Sequence, residues 1–372
     1  MKLLTASLAT LSALVYVAQA TPTHQFDHFF PGWNDRVQTI LRENCSEPYA
    51  EYLTGNVNYT LGVQSLVNPV IDCVLGAFPE SRKAELATGA LVLGLIPTIL
   101  QSIGSSTVET ALVGLRRPLL GFLVSAGSPA VSIMKTGDFS RVVTEFVEGG
   151  EPRELGIDNL RWSPNRAKWA ILISLLEYVV VGGAVANVLH LAYELGVYAV
   201  AIFAPNTIFG VPLWTLGAAL VHLAGCLALW VRVRMRTVDA RDGEVYNVRT
   251  KPLNTWVPTQ LIPAIFHPSM TLGLRRDRAN AFWFYILTWV ISIGSLAQVA
   301  FGTLVLSGLL FFSLADCLII VGRYTLSAVF CRAVVRLELS GMMAAIVHAE
   351  GAKTVEPEQV VLTDWKGQPQ DM

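Results

Sequence analysis

The stretch AILISLLEYVVVGGAVANVLHLAYELG, residues 170–196, decides how the rest of the chain is read. It is apolar over a length that can cross a bilayer, which takes about 20 residues. It also carries Glu177, His190 and Glu194. An ionisable group at membrane depth is costly, so it faces a bundle interior, a cavity or a partner. Glu177, eight residues beyond Trp169 and so about 12 Å along the helix, is the first pointer to function.

Composition agrees with a membrane protein. Of 372 residues 53% are hydrophobic and only 15% charged, with mean hydropathy +0.49, whereas soluble domains carry about 25% charged residues. The net charge of −1 leaves no electrostatic footprint for nucleic acid. The expected fold is all-α: a polytopic transmembrane helical bundle with a small lumenal or extracellular N-terminal segment.

Residues 1–20 read as a secretory signal peptide, with Lys2, an apolar Leu3 to Val17 and the A-x-A site Ala18-Gln19-Ala20. Segment 21–85 would then be lumenal or extracellular. It holds the glycosylation sequons at Asn44 and Asn58, and its two cysteines, Cys45 and Cys73, are expected to form a disulfide. His24 and His28 have i,i+4 spacing but lie in a polar, proline-bearing N-terminus and carry no metal site. Cys226, Cys317 and Cys331 sit in or beside apolar runs, as small hydrophobes do.

The region 86–349 is expected to hold the spans. The first is Leu86 to Ile103, with a kink at Pro97. Arg116-Arg117 marks a cytosolic edge under the positive-inside rule. Pro118 to Met134 fits a short span, a re-entrant hairpin or an interfacial helix. Trp169 to Leu189 and Ile208 to Trp230 are further spans. The second of these leads into a connector, 231–280, whose arginines outnumber its four acidic residues and place it in the cytosol. Its apolar, proline-broken middle is expected at the membrane surface. Ala281 to Phe301 and Gly302 to Gly322 read as a tight hairpin of spans, ending at Arg323. Tyr324 to His348 reads as a surface helix and 350–372 as a disordered cytosolic tail. An outside N-terminus and an inside C-terminus require an odd count. Five spans are favoured; seven need both 118–134 and the short 191–204 to cross.

The segments LVLGLIPTIL (91–100), GSSTVETALVGLRRPLLGFLVSAGSPAV (104–131), VANVLHLAYELG (185–196) and GRYTLSAVFCRAVVRLELSGM (322–342) resemble a family of fungal multi-pass integral membrane proteins. That resemblance implies a multi-pass membrane protein and brings no activity and no site residue with it.

Asp316 lies seven residues before Arg323, about 10 Å, so in the five-span arrangement Glu177 and Asp316 are expected at similar depth. They form the candidate intramembrane polar site, able to share a proton or cation. Competing readings remain for both. Asp316 and Arg323 are spaced to form an ion pair on one helix face, and Glu177 has Gly182 and Ala186 beside it, small residues that would let a neighbouring helix approach. His190 and Glu194 read as an interfacial pair, and His222 as a hydrogen-bonded packing residue. No catalytic residue, metal site or cofactor is assigned, because no P-loop, G-x-G-x-x-G, H-E-x-x-H, C-x-x-C or G-x-S-x-G is present. The expected partner is the lipid bilayer, in the secretory pathway, the plasma membrane or an endomembrane. Two functions suit these features: a transporter- or channel-like protein using intramembrane carboxylates, or a receptor-like or scaffold protein with a glycosylated ectodomain and a basic cytosolic loop.

Overall fold

A computed structural model describes residues 25–54, 66–147, 169–205, 207–238, 245–247, 260–266, 270–274 and 278–352. The signal-peptide segment, His24, Asn58 and the tail from 353 lie outside the described residues. The protein is predominantly helical.

Three short helices, α1 (Asn34–Glu43), α2 (Ser46–Thr54) and α3 (Val67–Ala77), form an N-terminal cap. A disulfide joins Cys45 to Cys73 across a Cα–Cα distance of 5.9 Å, as the sequence led us to expect. The cap has its own core, in which Phe26, Trp33, Leu41 and Val74 are buried together with Val200 and Phe311 from two distant loops. Those loops pair as β1 (Val200–Ala201) and β5 (Leu309–Leu310), so the cap sits on one end of the helical bundle.

Helix α4 (Glu80–Gly94) leads from the cap into the bundle and continues, after a break at Leu95, as α5 (Ile96–Ile103). Pro97 stands in the first turn of α5, where its missing N–H costs nothing. Next comes a helical hairpin, α6 (Thr107–Arg116) and α7 (Pro118–Gly127). Ser106 and Glu109 form a capping box that starts α6. The two helices touch backbone to backbone: a Cβ on Gly121 would lie 2.5 Å from the Gly114 Cα. At ten residues, α7 is about 15 Å long, half the thickness of a hydrocarbon core. The amphipathic α8 (Thr136–Val147) follows, burying Phe139, Val142, Val143 and Phe146.

The remaining long helices are α9 (Ala170–Val197), α10 (Gly210–Arg232), α11 (Arg278–Ser307) and α12 (Leu314–Ala352). Among the described residues, five helices are long and apolar enough to cross a membrane: Glu80–Ile103, Ala170–Val197, Gly210–Arg232, Asn280–Ser307 and Leu314–Ala345. Their polarity is inverted relative to a soluble bundle. On α9 the inward face carries Ser174, Glu177, Val181 and Ala184, while Leu172, Leu175, Leu176 and Val179 point outward. Small and polar groups at helix contacts, with apolar groups around them, suit a lipid surround. Gly182 and Ala186 belong to the outward side, and a Cβ on Gly182 would meet nothing, so they do not bring a neighbouring helix close.

Two expectations are corrected. The hairpin between the last two long helices turns at 308–313 rather than at Gly302, because Gly302 packs inside α11 against the Trp214 indole. Tyr324 to His348 is therefore no surface helix but the continuation of α12, with Tyr324, Cys331, Val335 and Leu339 buried. The helical fold carries one small addition: β2 (Val233–Val238), β3 (Val245–Asn247) and β4 (Met270–Leu274) form an antiparallel sheet in the connector, in the order β3-β2-β4. The short 191–204 segment adds no crossing helix, since its first residues complete α9.

Candidate functional site

Arg117 occupies the turn between α6 and α7. Proline disfavours helical backbone in the residue before it. Arg117 accordingly leaves the helix (φ −123°, ψ 77°), and its side chain runs into the bundle at the end remote from the cap. It is fully buried. Its Nε donates to the Gln260 carbonyl at 3.0 Å, one terminal nitrogen to Glu338 Oε1 at 2.8 Å and to Glu177 Oε2, and the other to Ser174 Oγ at 2.6 Å. The Tyr178 ring lies 5.1 Å from the guanidinium carbon.

Arg116 completes the cluster. It donates to Glu338 Oε2 at 2.8 Å and to the Ile262 carbonyl at 2.7 Å. Glu338 thus bridges two guanidinium groups and also accepts from the Ala264 amide at 3.2 Å. Two positive and two negative side chains, each at most 5% exposed, neutralise one another across α6–α7, α9, α12 and the connector segment 260–266. Burial disfavours both guanidinium charges. At Arg117 the Glu338 and Glu177 carboxylates outweigh burial and raise the pKa; at Arg116 burial prevails and lowers it. Two polar atoms inside the cluster, Glu177 Oε1 and Gln260 Nε2, have no hydrogen-bond partner among the described residues.

The connector middle, expected at a membrane surface, instead inserts against this cluster. Gln260, Ala264 and Ile265 are buried, and the Ala264 and Ile265 backbone presses on Gly341 so closely that a Cβ there would collide.

A second polar network lies nearer the cap on the same helix pair. Arg323 donates to Glu194 Oε2 at 2.6 Å and to Asn187 Oδ1 at 2.9 Å, and His190 Nδ1 stands 3.2 Å from Glu194. Asn187 in turn donates to the Arg323 carbonyl and to Ser327 Oγ. Arg323, read from sequence as a cytosolic exit, is the centre of this network and lies within α12. Arg332 donates to the Ile103 carbonyl at 2.8 Å and ties down the end of α5.

Asp316 is elsewhere. Its carboxylate accepts from Ser313 Oγ at 2.7 Å and from the Gly32 amide at 3.1 Å, capping the start of α12 and holding the N-terminal cap. It stands 22 residues before Glu338 on one helix, about 33 Å away, so Glu177 and Asp316 are at opposite ends of the bundle. The partners of Glu177 are Arg117, directly, and Glu338 through it. His222 packs alone, with Nε2 2.8 Å from the Ala130 carbonyl. Among the described residues no three His, Cys, Asp or Glu side chains form a metal-binding group. Asn44 is exposed at the end of α1.

No family model, curated protein or solved structure matches the chain. The cluster therefore stands on its own geometry. Local composition exposed Glu177, but Arg116, Arg117, Glu338 and Gln260 were missed. Arg117-Pro118 was the one available signal, since a proline forces its predecessor out of the helix.

Proposed function

We propose that the protein is a multi-pass membrane transport protein in which α9 and α12 carry an ionic lock at each end. The observation that carries this reading is the pair of networks on one helix pair, Arg323–Glu194–Asn187 toward the cap and Arg116–Arg117–Glu177–Glu338 toward the connector. They lie fifteen residues apart on α12, about 22 Å. Alternating access requires that one end open while the other stays closed, and separate charge networks at the two ends suit that demand. Glu177 is the natural proton acceptor, because one of its oxygens has no partner among the described residues. A proton on Glu177 removes one of the two carboxylates holding Arg117 and loosens the lock beside the connector.

The five candidate spans, alternating in direction from the cap, support a cap on the lumenal or extracellular side and a connector in the cytosol. The Cys45–Cys73 disulfide and the exposed sequon at Asn44 support the same sidedness and a secretory-pathway membrane.

The test is reconstitution into liposomes with an internal pH dye, under an imposed potassium diffusion potential, against a panel of amino acids, sugars and monovalent cations. The expected result is solute-dependent proton movement that loses its pH dependence in Glu177→Gln. If that variant keeps the wild-type pH profile, Glu177 is not the coupling group. If no member of the panel moves protons or solute, the transport reading fails.

A receptor-like reading has one observation of its own. The Gly32–Asp316 contact joins the cap to the same helix that carries Glu338 at the other end. A ligand-dependent change in cysteine labelling of the connector, without flux, would favour it.

A further inference from the structure

One cysteine of the cap serves two chemistries. Asn44-Cys45-Ser46 is a glycosylation sequon, and its middle residue is half of the Cys45–Cys73 disulfide. Glycan transfer and disulfide formation take place on the same side of the membrane. Both therefore draw on the same three residues.

In the folded cap the sequon is fixed at the corner between two helices. Asn44 ends α1 with helical backbone (φ −104°, ψ −29°), and Ser46 is the first residue of α2. The Asn44 and Cys45 amides both donate to the Ile40 carbonyl, at 2.9 and 3.0 Å, and the Cys45 carbonyl accepts from the Tyr49 amide at 3.1 Å. Cys45 itself is fully buried in the cap core, to which α3 contributes Val67, Val70, Ile71 and Val74. Asn44 and Ser46 flank it and are exposed. A glycan already on Asn44 thus has room in the folded cap. A transferase, however, must draw the tripeptide backbone into its own active site, which requires local opening of the segment. With Cys45 buried and tied to α3, that opening means taking the cap apart.

Order of events then decides the outcome. Cys73 follows Ser46 by 27 residues, counted as 73 minus 46. Delivering that length takes about 1–5 s at roughly 5–20 residues per second, and disulfide formation takes seconds or longer. Transfer bonds the Asn44 amide nitrogen to the anomeric carbon of a lipid-linked oligosaccharide; that carbon's bond to the lipid pyrophosphate breaks and the amide loses a proton. Disulfide closure removes two electrons and two protons from the Cys45 and Cys73 thiols and passes them to a disulfide-bearing oxidoreductase of the compartment.

We propose that Asn44 is a conditional glycan acceptor, open to the transferase only until Cys45 joins Cys73. The Asn44 glycan is then a record that transfer preceded oxidation. Such a site requires the lumenal placement of the cap proposed above and is independent of transport.

Translation of the full chain in vitro with sealed endoplasmic-reticulum microsomes tests it, read as a glycosidase-sensitive mobility shift. Asn58→Gln leaves Asn44 as the single sequon. With the two reactions comparable in rate, roughly half of these chains carry the glycan, and removing the competing reaction about doubles that share. Cys73→Ser should do so, and so should dithiothreitol present during translation, with no further gain from the two together. Cys45→Ala, which keeps the sequon because its middle position excludes only proline, should give the same rise. Unchanged occupancy in Cys73→Ser would overturn the proposal. A rise in Cys45→Ala without one in Cys73→Ser would overturn it too, since the thiol and not the bridge would then set the level. An Asn44 that stays bare in every variant, while Asn58 is modified in the unaltered chain, would do the same. If neither sequon is ever modified, the lumenal placement itself fails, a result distinct from the others.

Discussion

Arg117 is held by Ser174, Glu177, Gln260 and Glu338, contributed by three separate parts of the chain. Removing one side of a buried ion pair strands its partner, at a cost of about 3–5 kcal/mol. Arg117→Gln and Glu338→Gln should each destabilise by this much, read as a drop in thermal unfolding temperature in detergent. Glu177→Gln should cost less, about 1–3 kcal/mol, because Arg117 retains Glu338. Equal losses from Glu177→Gln and Glu338→Gln would show that the charge is not shared as the geometry implies. At this scale the sequence was partly legible. Glu177 stood out because its neighbours are apolar. Its partners did not, because they lie 60 and 221 residues from Glu177 and Arg117 respectively along an otherwise silent contact. A pair of arginines beside an apolar run reads as a surface edge until such partners are known.

Between elements, close approaches of glycine set the geometry. Gly121→Ala should force α6 and α7 apart, at about 1–3 kcal/mol for overpacking. Gly341→Val should push the 260–266 segment off the charge cluster. A cysteine placed at Ile262 should then react faster with a maleimide than it does in the otherwise native protein; an unchanged rate would place that segment's anchorage elsewhere. The element boundaries show where sequence reading ran out. From Ala281 to Ala345 the chain is apolar almost throughout, so the turn had to be inferred from glycine and arginine. Gly302 proved to be a packing position under Trp214, and Arg323 a half-buried partner of Glu194 within α12. Neither residue announces that role, because a glycine in a turn and one under an indole look alike in a sequence. The sheet β3-β2-β4 was equally silent, being built from the same arginine-rich connector that signalled sidedness.

At the scale of the molecule, the five long apolar helices among the described residues alternate in direction and place the cap at one end and the connector at the other. Cysteines introduced within 148–168 and within 248–259 should therefore react with a membrane-impermeant reagent from the same side. Labelling from opposite sides would break the alternation. Removal of the disulfide by Cys45→Ser and Cys73→Ser should cost about 3 kcal/mol of cap stability, as expected for a loop spanning 28 residues, and should loosen the cap before the bundle. Differential protease sensitivity of the cap and the long helices measures this. The long apolar helices were legible in the sequence because hydropathy is a local quantity; the cap's docking site was not, since it is built from loops far along the chain.

Phe311 is a non-glycine residue held at φ 67°, and its ring packs between Phe29 and Phe78 of the cap. Left-handed backbone is unfavourable for a bulky side chain, so the turn before α12 depends on the cap to hold it there. Yet the adjoining Gly32–Asp316 contact joins residues 284 positions apart. During synthesis the cap is made first, whereas Phe311 and Asp316, which it packs against, follow only after most of the chain. Until then Phe29 and Phe78 lack the ring they meet in the folded protein. Biogenesis should therefore be the step most sensitive to chaperone supply, and truncations that end before Phe311 should leave a soluble-looking cap that aggregates.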